Sequence, residues 1–340
     1  MVDPATPHRA EQAPPLDGVT ILDLTRLLPG AYATLLLADL GADVIKIEDP
    51  RGGDGMRSLA AGSYFDMLNR NKKSVTLDLR SPDAAPVLDA LAARSDVIVD
   101  SFRPSTARRL GVDPDSIRMR HPRLVCSSIN GFGRSGPDAE RAAHDINYQA
   151  LAGLLRAPAP PGPLVGDIGA AMHAAIGILA ALLRRERTGE GSSVDVPIAR
   201  AALDWSMFPT TGDLEEACYT IYETADNKWL ALGALEAKFW IRFCERLGRS
   251  DLIALQHAEG RERMRVMDEV RAIMRSHTER EWLALFGDAD VCLTPVLAPE
   301  DVTIEARGIA PVLGAHTDDV LAAAGISQGE RERLRRRQVI

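Results

Sequence analysis

VTILDLTRLLPGAYATLLLADLGADVIKIE, residues 19–48, decides the fold class. Its first six residues (19–24) and last six (43–48) are short apolar runs of strand type. Between them AYATLLLADLG reads as a helix, with Gly41 as its C-cap. Strand, helix and strand within about thirty residues form a right-handed βαβ unit, the mark of a parallel sheet covered by helices.

The pattern repeats downstream. SVTLDL (74–79) predicts a strand, residues 81–83 open a helix running to Ala93, and DVIVD (96–100) and RLVCSSI (123–129) predict two more strands. The expected architecture is a doubly wound, Rossmann-like α/β domain. Past residue 150 the texture changes. RAPAPPGP (156–163) is a Pro-rich connector, followed by a buried helix over 168–187 and a short strand that runs into a helix in SSVDVPIARAALDW. YTIYETADNKWLALG (219–233) predicts a β-hairpin turning at 226–228. Helices are expected over 237–247, 260–276 and 280–286, and one helical tail over 317–336. The boundaries that follow are a disordered lead-in (1–15), a large α/β domain (16–205), a smaller α+β domain (206–300) and a C-terminal segment (301–340) returning to the large domain.

The 340 residues carry 40 basic and 48 acidic side chains, a net charge of −8, which argues against bulk electrostatic binding to nucleic acid or anionic membrane. Cys126, Cys218, Cys244 and Cys292 are widely spaced, with no CxxC pair, and read as reduced thiols of a cytoplasmic protein. The longest apolar stretch, 168–183, contains His173 and is short for a membrane span; the first 16 residues lack an apolar signal core. The protein is therefore expected to be soluble.

The first βα turn, TRLLPGAY, has no GxGxxG. GFGRSG (131–136) matches that pattern but starts no apolar helix, so a Rossmann pyrophosphate site is not expected. P-loop and GxSxG motifs are absent, and the seven histidines show no HExxH or other ligand spacing, so no metal is expected. Asp167, in VGDIG, directly precedes the long helix. It reads either as an N-cap or as a catalytic carboxylate beside free N–H groups that could stabilise an oxyanion. HDINY (144–148) packs an imidazole, a carboxylate, an amide and a phenol into one run; alone, a His-Asp pair before an apolar helix is more often a cap with a surface histidine. Arg70, Lys72, Lys73, Arg80, Arg103, Arg108 and Arg109 flank strand ends, where they could clamp a phosphate ligand or form a solvated rim.

LDGVTILDLTRLLPGAYATLLLADLGADVIKIEDP (16–50), NRNKKSVTLDLRSPD (69–83), DVIVDSFRPSTARRLGV (96–112), PRLVCSSINGFGRSGP (122–137), HDINYQALAGLL (144–155), VGDIG and ALGALEAKFW (231–240) together resemble the family III CoA-transferases, and HDINY resembles their racemase branch. The resemblance implies an interlaced homodimer with a Rossmann-like large domain that holds a CoA thioester as substrate, without a prosthetic group. It implies that Asp167 is the essential aspartate, His144 a second acid/base, and Glu236 a carboxylate reaching the histidine from the partner subunit, with Asp145 or Glu236 tuning the imidazole. Leu77 and Arg80 match contacts to the CoA nucleotide, Phe102, Arg103 and Arg109 further CoA contacts, and Tyr148 lines the same site. The implied activity is racemisation at the α-carbon of a 2-methyl or other 2-substituted acyl-CoA through an enolate. The alternatives are CoA transfer between carboxylic acids through an aspartyl intermediate, or a degraded CoA-binding paralogue. The chain departs from the family pattern at Ala143 (in place of glycine) and Asp49 (in place of arginine, with Arg51 nearby), and in shortened segments at 156–163 and 207–217.

Overall fold

A parallel strand covered on both faces carries apolar side chains at successive positions, and this explains the unbroken apolar runs of the larger unit. The computed structural model describes residues 13–159, 161–207, 215–303 and 308–340. It divides into two units, Met1–Met207 with Ala306–Ile340, and Phe208–Glu305. In the first unit β1 (Thr20–Asp23), β2 (Asp43–Glu48), β3 (Lys72–Thr76), β4 (Val97–Asp100), β5 (Val125–Asn130) and β6 (Ser193–Pro197) form one parallel sheet in the order 3-2-1-4-5-6. This is the doubly wound order, whose ligand crevice opens where the order reverses, between β1 and β4. The helices interleaved with these strands are α1 (Leu28–Asp39), α2 (Ser63–Asn69), α3 (Ala84–Ala92), α4 (Pro104–Leu110), α5 (Pro114–Arg120), α6 (Asp145–Leu151), α7 (Val165–Thr188) and α8 (Ile198–Trp205).

Successive strand residues serve opposite cores. Ile21, Val44, Val97 and Val125 pack with Ala33 and Leu37 of α1 and with Ala170, Ala174 and Ile178 of α7. Their neighbours Leu22, Ile45, Ile98 and Cys126 pack on the other face with Val87, Leu88 and Leu91 of α3 and Ile117 of α5. The small side chains of α7 let it lie close to the sheet: a Cβ at Gly177 would sit 2.6 Å from Val194. α7 is long and apolar enough to cross a membrane by length and composition, and half of its most apolar window is buried in the protein. The expected buried helix is buried along one face, whereas Met172, Ile176 and Leu183 on it are exposed.

β3 begins at Lys72, two residues before the predicted strand, and ends at Thr76. Lys72 is neither a free phosphate clamp nor part of a solvated rim: its ammonium is buried, 3.3 Å from Asp23 Oδ2 and bonded to Ala31 O, Thr34 Oγ1 and Asn69 Oδ1. The outer edge of β3 is met by the C-terminal segment: Thr317 Oγ1 accepts from Thr76 N, and His316 N donates to Ser74 O. Val339 O accepts from Asp78 N just beyond the strand.

In the second unit β7 (Tyr219–Glu223) and β8 (Trp229–Gly233) form the expected hairpin, with Asn227 at φ 57° in its turn, and β9 (Leu293–Pro295) adds a third antiparallel strand. α9 (Ala237–Arg246), α10 (Gly260–Met274) and α11 (Glu279–Phe286) cover it. The core there is aromatic, with Trp240, Phe243 and Phe286 stacked at 5.3–5.6 Å. The tail is two helices, α12 (Thr317–Ala323) and α13 (Gln328–Arg336), because Gly325 turns left-handed between them at φ 87°. Residues 1–12 of the expected lead-in lie outside the described residues, whereas 13–15 are exposed and lead into a turn at 15–18 whose Leu16 is already in the core.

Asp23 anchors the centre of the sheet. Burial pushes its carboxyl up, but Lys46, Lys72 and the hydroxyls of Thr25 and Thr34 together pull it down to about 2. Removing it leaves the buried Lys72 ammonium without its paired carboxylate and Lys46 with Asp54 alone. Asp23→Ala should therefore lower the unfolding free energy by about 3–5 kcal/mol in urea titrations, whereas an exposed pair such as Arg120–Asp89 should contribute about 1 kcal/mol or less.

Candidate active site

β1, β4 and β5 end side by side at the point where the strand order reverses, and the segments beyond them enclose a cleft of about 290 Å³. Arg26 and Leu27 line it from the turn after β1 and Pro29 from the first turn of α1, Ser101 and Arg103 from the turn after β4, and Asn130 and Gly131 from the end of β5. The remaining walls include His144, Tyr148, Asp167 and Ile198.

Asp167 is the third residue of α7, whose N-cap is Leu164. The helix starts three residues earlier than the sequence predicts, so the N-cap reading of Asp167 is corrected. Its backbone N–H donates to Asp145 Oδ1 at 2.9 Å. The N–H groups of Val165 and Ile168 go to Pro163 O and Leu164 O, so among the described residues the expected set of free donors for an oxyanion reduces largely to Gly166. Burial, and then the nearby Asp145 charge, push the Asp167 carboxyl up to about 7. A helix N-terminus favours the carboxylate, but only by about 0.3–1 kcal/mol, and burial outweighs it.

Asp145 and His144 come from the start of α6. The Asp145 side chain is buried, accepting from Asp167 N and from the amide of Gln149, which also donates to Pro163 O. These bonds turn Asp145 toward α7, and none joins it to the His144 ring, so its expected tuning of the imidazole is replaced by an effect on Asp167. His144 is exposed at the helix start, its backbone N–H bonded to Asn147 Oδ1. Tyr148 is buried, with Oη donating to Ala143 O at 3.3 Å; burial and the Asp167 charge push its phenol up to about 12. Two glycines make these approaches possible: a Cβ at Gly166 would lie 2.9 Å from Asp145 Oδ1, and one at Gly131 would lie 2.5 Å from Tyr148 Oη.

Leu77, Arg80 and Phe102 meet in a second, smaller cleft of about 30 Å³ at the ends of β1 to β4, with Arg26 shared between the two clefts. Arg80 bonds to Asp78 and Asp49, and Arg51 bonds to the same two carboxylates, so this rim is internally neutral. The other basic candidates divide differently. Lys72 is buried with Asp23, Lys73 pairs with Asp43, Arg70 with Asp39, and Arg108 lies near Glu140. Arg109 is exposed on the last turn of α4 and lines neither of these two clefts. Glu236 is exposed at the N-cap of α9 in the second unit. GFGRSG opens no helix: Gly133 N and Arg134 N bond to Asn130 and Asp195, as expected for a segment without a pyrophosphate site.

Arg26, Leu27 and Arg141 line the cleft without having been singled out in the sequence. Leu27 has φ 64°, which is unusual for a branched residue and puts its side chain at the cleft wall. Position supplied the available signal, because the turn after the first strand of a doubly wound sheet faces the ligand crevice.

A doubly wound α/β protein with no glycine-rich pyrophosphate turn, carrying a carboxyl group poised near neutrality at its switch point, is the class that fold and site define. The chain belongs to CoA-transferase family III, whose model matches residues 16–320. It is 30% identical to the alpha-methylacyl-CoA racemase of Homo sapiens, over 96% of this chain and 97% of that protein. It is 31% identical to the succinyl-CoA–D-citramalate CoA-transferase of Chloroflexus aurantiacus, over 90% of this chain and 85% of that one. A crystal structure of a hypothetical protein from Mycobacterium tuberculosis matches with a TM-score of 0.79 and 29% identity, covering 91% of this chain and 99% of that one.

The raised Asp167 value has a consequence for stability. Between its ordinary value of 3.8 and about 7 the folded protein binds a proton that the unfolded chain has lost, so stability falls as pH rises through this window. Asp167→Asn should therefore melt at least about 2 °C above the wild type at pH 8 and together with it at pH 4, as followed by calorimetry.

Proposed function

We propose that this protein is an acyl-CoA racemase that inverts the α-carbon of a 2-methyl or other 2-substituted acyl-CoA. The observation that carries this reading is a single cleft holding both an imidazole, His144, and a carboxyl group, Asp167, raised to about 7. A thioester α-proton is weakly acidic, so its removal needs a base close by and a site that tolerates the enolate. In one direction the Asp167 carboxylate takes the α-proton, the C–H electron pair moves into the enolate, and the His144 imidazolium returns a proton to the opposite face. The reverse direction exchanges the two roles. At neutral pH an Asp167 titrating near 7 is populated in both forms, as a group that alternates between base and acid requires. A CoA-transferase would use the same carboxylate as a nucleophile on the thioester carbonyl and would have no step for the imidazole.

Arg26, Arg103 and Arg141 give this cleft a positive lining suited to CoA phosphates, and Leu77 and Phe102 provide apolar contacts in the smaller cleft. The protein would act as an interlaced homodimer, with Glu236 supplied from the other subunit. Met172, Ile176 and Leu183 of α7, with Leu203 and Trp205 of α8, present exposed apolar side chains that support such pairing. A sedimentation mass of one chain would overturn the dimer.

The racemase reading is tested by incubating the protein with a single enantiomer of a 2-methylacyl-CoA in heavy water, with and without an acceptor carboxylic acid. α-Deuterium should enter as chirality is lost, with or without acceptor. CoA moving to the acceptor while the α-proton stays in place would make it a transferase, and no reaction with CoA still bound would make it a degraded paralogue. His144→Ala should slow racemisation by about 10²–10⁴-fold while CoA affinity is retained. Arg103→Ala should instead raise the dissociation constant for CoA by about tenfold, one charge-assisted contact at a solvated rim.

A further inference from the structure

The second unit carries a side-chain cluster that the reaction does not use. Glu216 Oε2 accepts from Cys218 Sγ at 3.4 Å and lies 2.7 Å from His257 Nδ1, and the three ligand atoms all lie within 4.8 Å of one another. The carbonyl oxygen of Gln256 is 3.9 Å from the same sulfur. Cys218 is fully buried, Glu216 half-buried and His257 exposed, so the sulfur forms the floor of a site open on one side. We propose that Glu216, Cys218 and His257 hold a thiophilic divalent cation of the zinc class.

Both segments that supply the donors are fixed in place. Tyr222 Oη donates to Ala217 O at 2.6 Å, and Ala234 N donates to Cys218 O at 2.8 Å, which pins the 216–218 segment to the hairpin. The Gln256 amide donates to Ala234 O and Leu235 O at 3.1 and 2.8 Å, which ties the His257 segment to the end of β8. The backbone that carries the donors is therefore set before any ion arrives, and only the exposed His257 ring has to adjust.

Geometry and charge agree with the ion type. With Zn–S near 2.3 Å and Zn–N or Zn–O near 2.0–2.1 Å, tetrahedral ligand atoms stand roughly 3.3–3.6 Å apart. The sulfur–carboxylate spacing of 3.4 Å already fits, and the exposed His257 ring has room to move out from 2.7 Å. One carboxylate, one thiolate and one neutral imidazole cancel a dication, with the thiol proton released to solvent. Sulfur and nitrogen donors favour zinc-like ions over magnesium or calcium. The ligand spacing, 216, 218 and 257, matches no metal motif, which is why the sequence predicts no metal.

The test uses the full chain, stripped with chelator and titrated with zinc or cobalt(II). One equivalent should be retained per chain through gel filtration, cobalt should give a thiolate-to-metal charge-transfer band, and zinc should raise the melting temperature. Cys218→Ser should remove the band, and His257→Gln, at an exposed position, should weaken binding at least tenfold. Cys292→Ser, which removes the exposed cysteine, should leave both unchanged. Failure to retain metal, or a band that survives Cys218→Ser or vanishes in Cys292→Ser, overturns the proposal. If Cys218→Ser fails to fold, unchanged zinc affinity in His257→Gln overturns it on its own. None of these results depends on the acyl-CoA reaction.

Discussion

Asp145 accepts the backbone N–H of Asp167 at 2.9 Å, and this contact fixes where a carboxyl group meets the cleft. It ties the first turn of α7 to the first turn of α6, so the helix carrying Asp167 and the one carrying His144 are set together. Gly166 leaves room for it, since a Cβ there would lie 2.9 Å from Asp145 Oδ1, and Gln149 holds the second oxygen of Asp145. The same arrangement places a negative charge near a half-buried acid. Position and proton affinity of Asp167 thus have one origin.

The opposite wall depends on a second set of buried charges. Lys46 Nζ donates to Thr25 O at 3.0 Å and pairs with Asp54 at 2.9 Å, while the other Asp54 oxygen lies 3.5 Å from Leu27 N. These contacts brace the turn from Thr25 to Gly30, where a Cβ at Gly30 would meet Thr25 at 2.2 Å. A turn with Leu27 at positive φ needs such bracing, because the left-handed conformation disfavours a branched residue. The cleft is therefore built between two rigid supports rather than on mobile loops.

Features carried by local pattern were legible in the sequence. The βαβ unit of residues 19–48 follows from its apolar periodicity, and β2 falls on the predicted residues 43–48. The hairpin of the second unit follows from its turn residues, and His144, Tyr148 and Asp167 share one cleft. Features that arise from distant partners were not legible. Lys72 looks like a phosphate clamp until Asp23, 49 positions away, is seen to neutralise it. Arg80 looks available until Asp49 and Asp78 engage it. Asp167 looks like an N-cap because Val165 and Gly166, a β-branched residue and a glycine, disguise the first turn of a helix. For Lys72 and Arg80, pairing across the fold overrode local appearance.

The most direct test of the cleft's chemistry is the titration of Asp167 itself, followed by the carboxyl carbon resonance in protein labelled at aspartate and assigned by loss of the signal in Asp167→Asn. Its midpoint should lie near pH 7 in the wild type and move to lower pH in Asp145→Asn, where the neighbouring charge is gone. A wild-type midpoint at the ordinary aspartate value of 3.8, unmoved by Asp145→Asn, would contradict the assignment of Asp167 as a base poised by its surroundings.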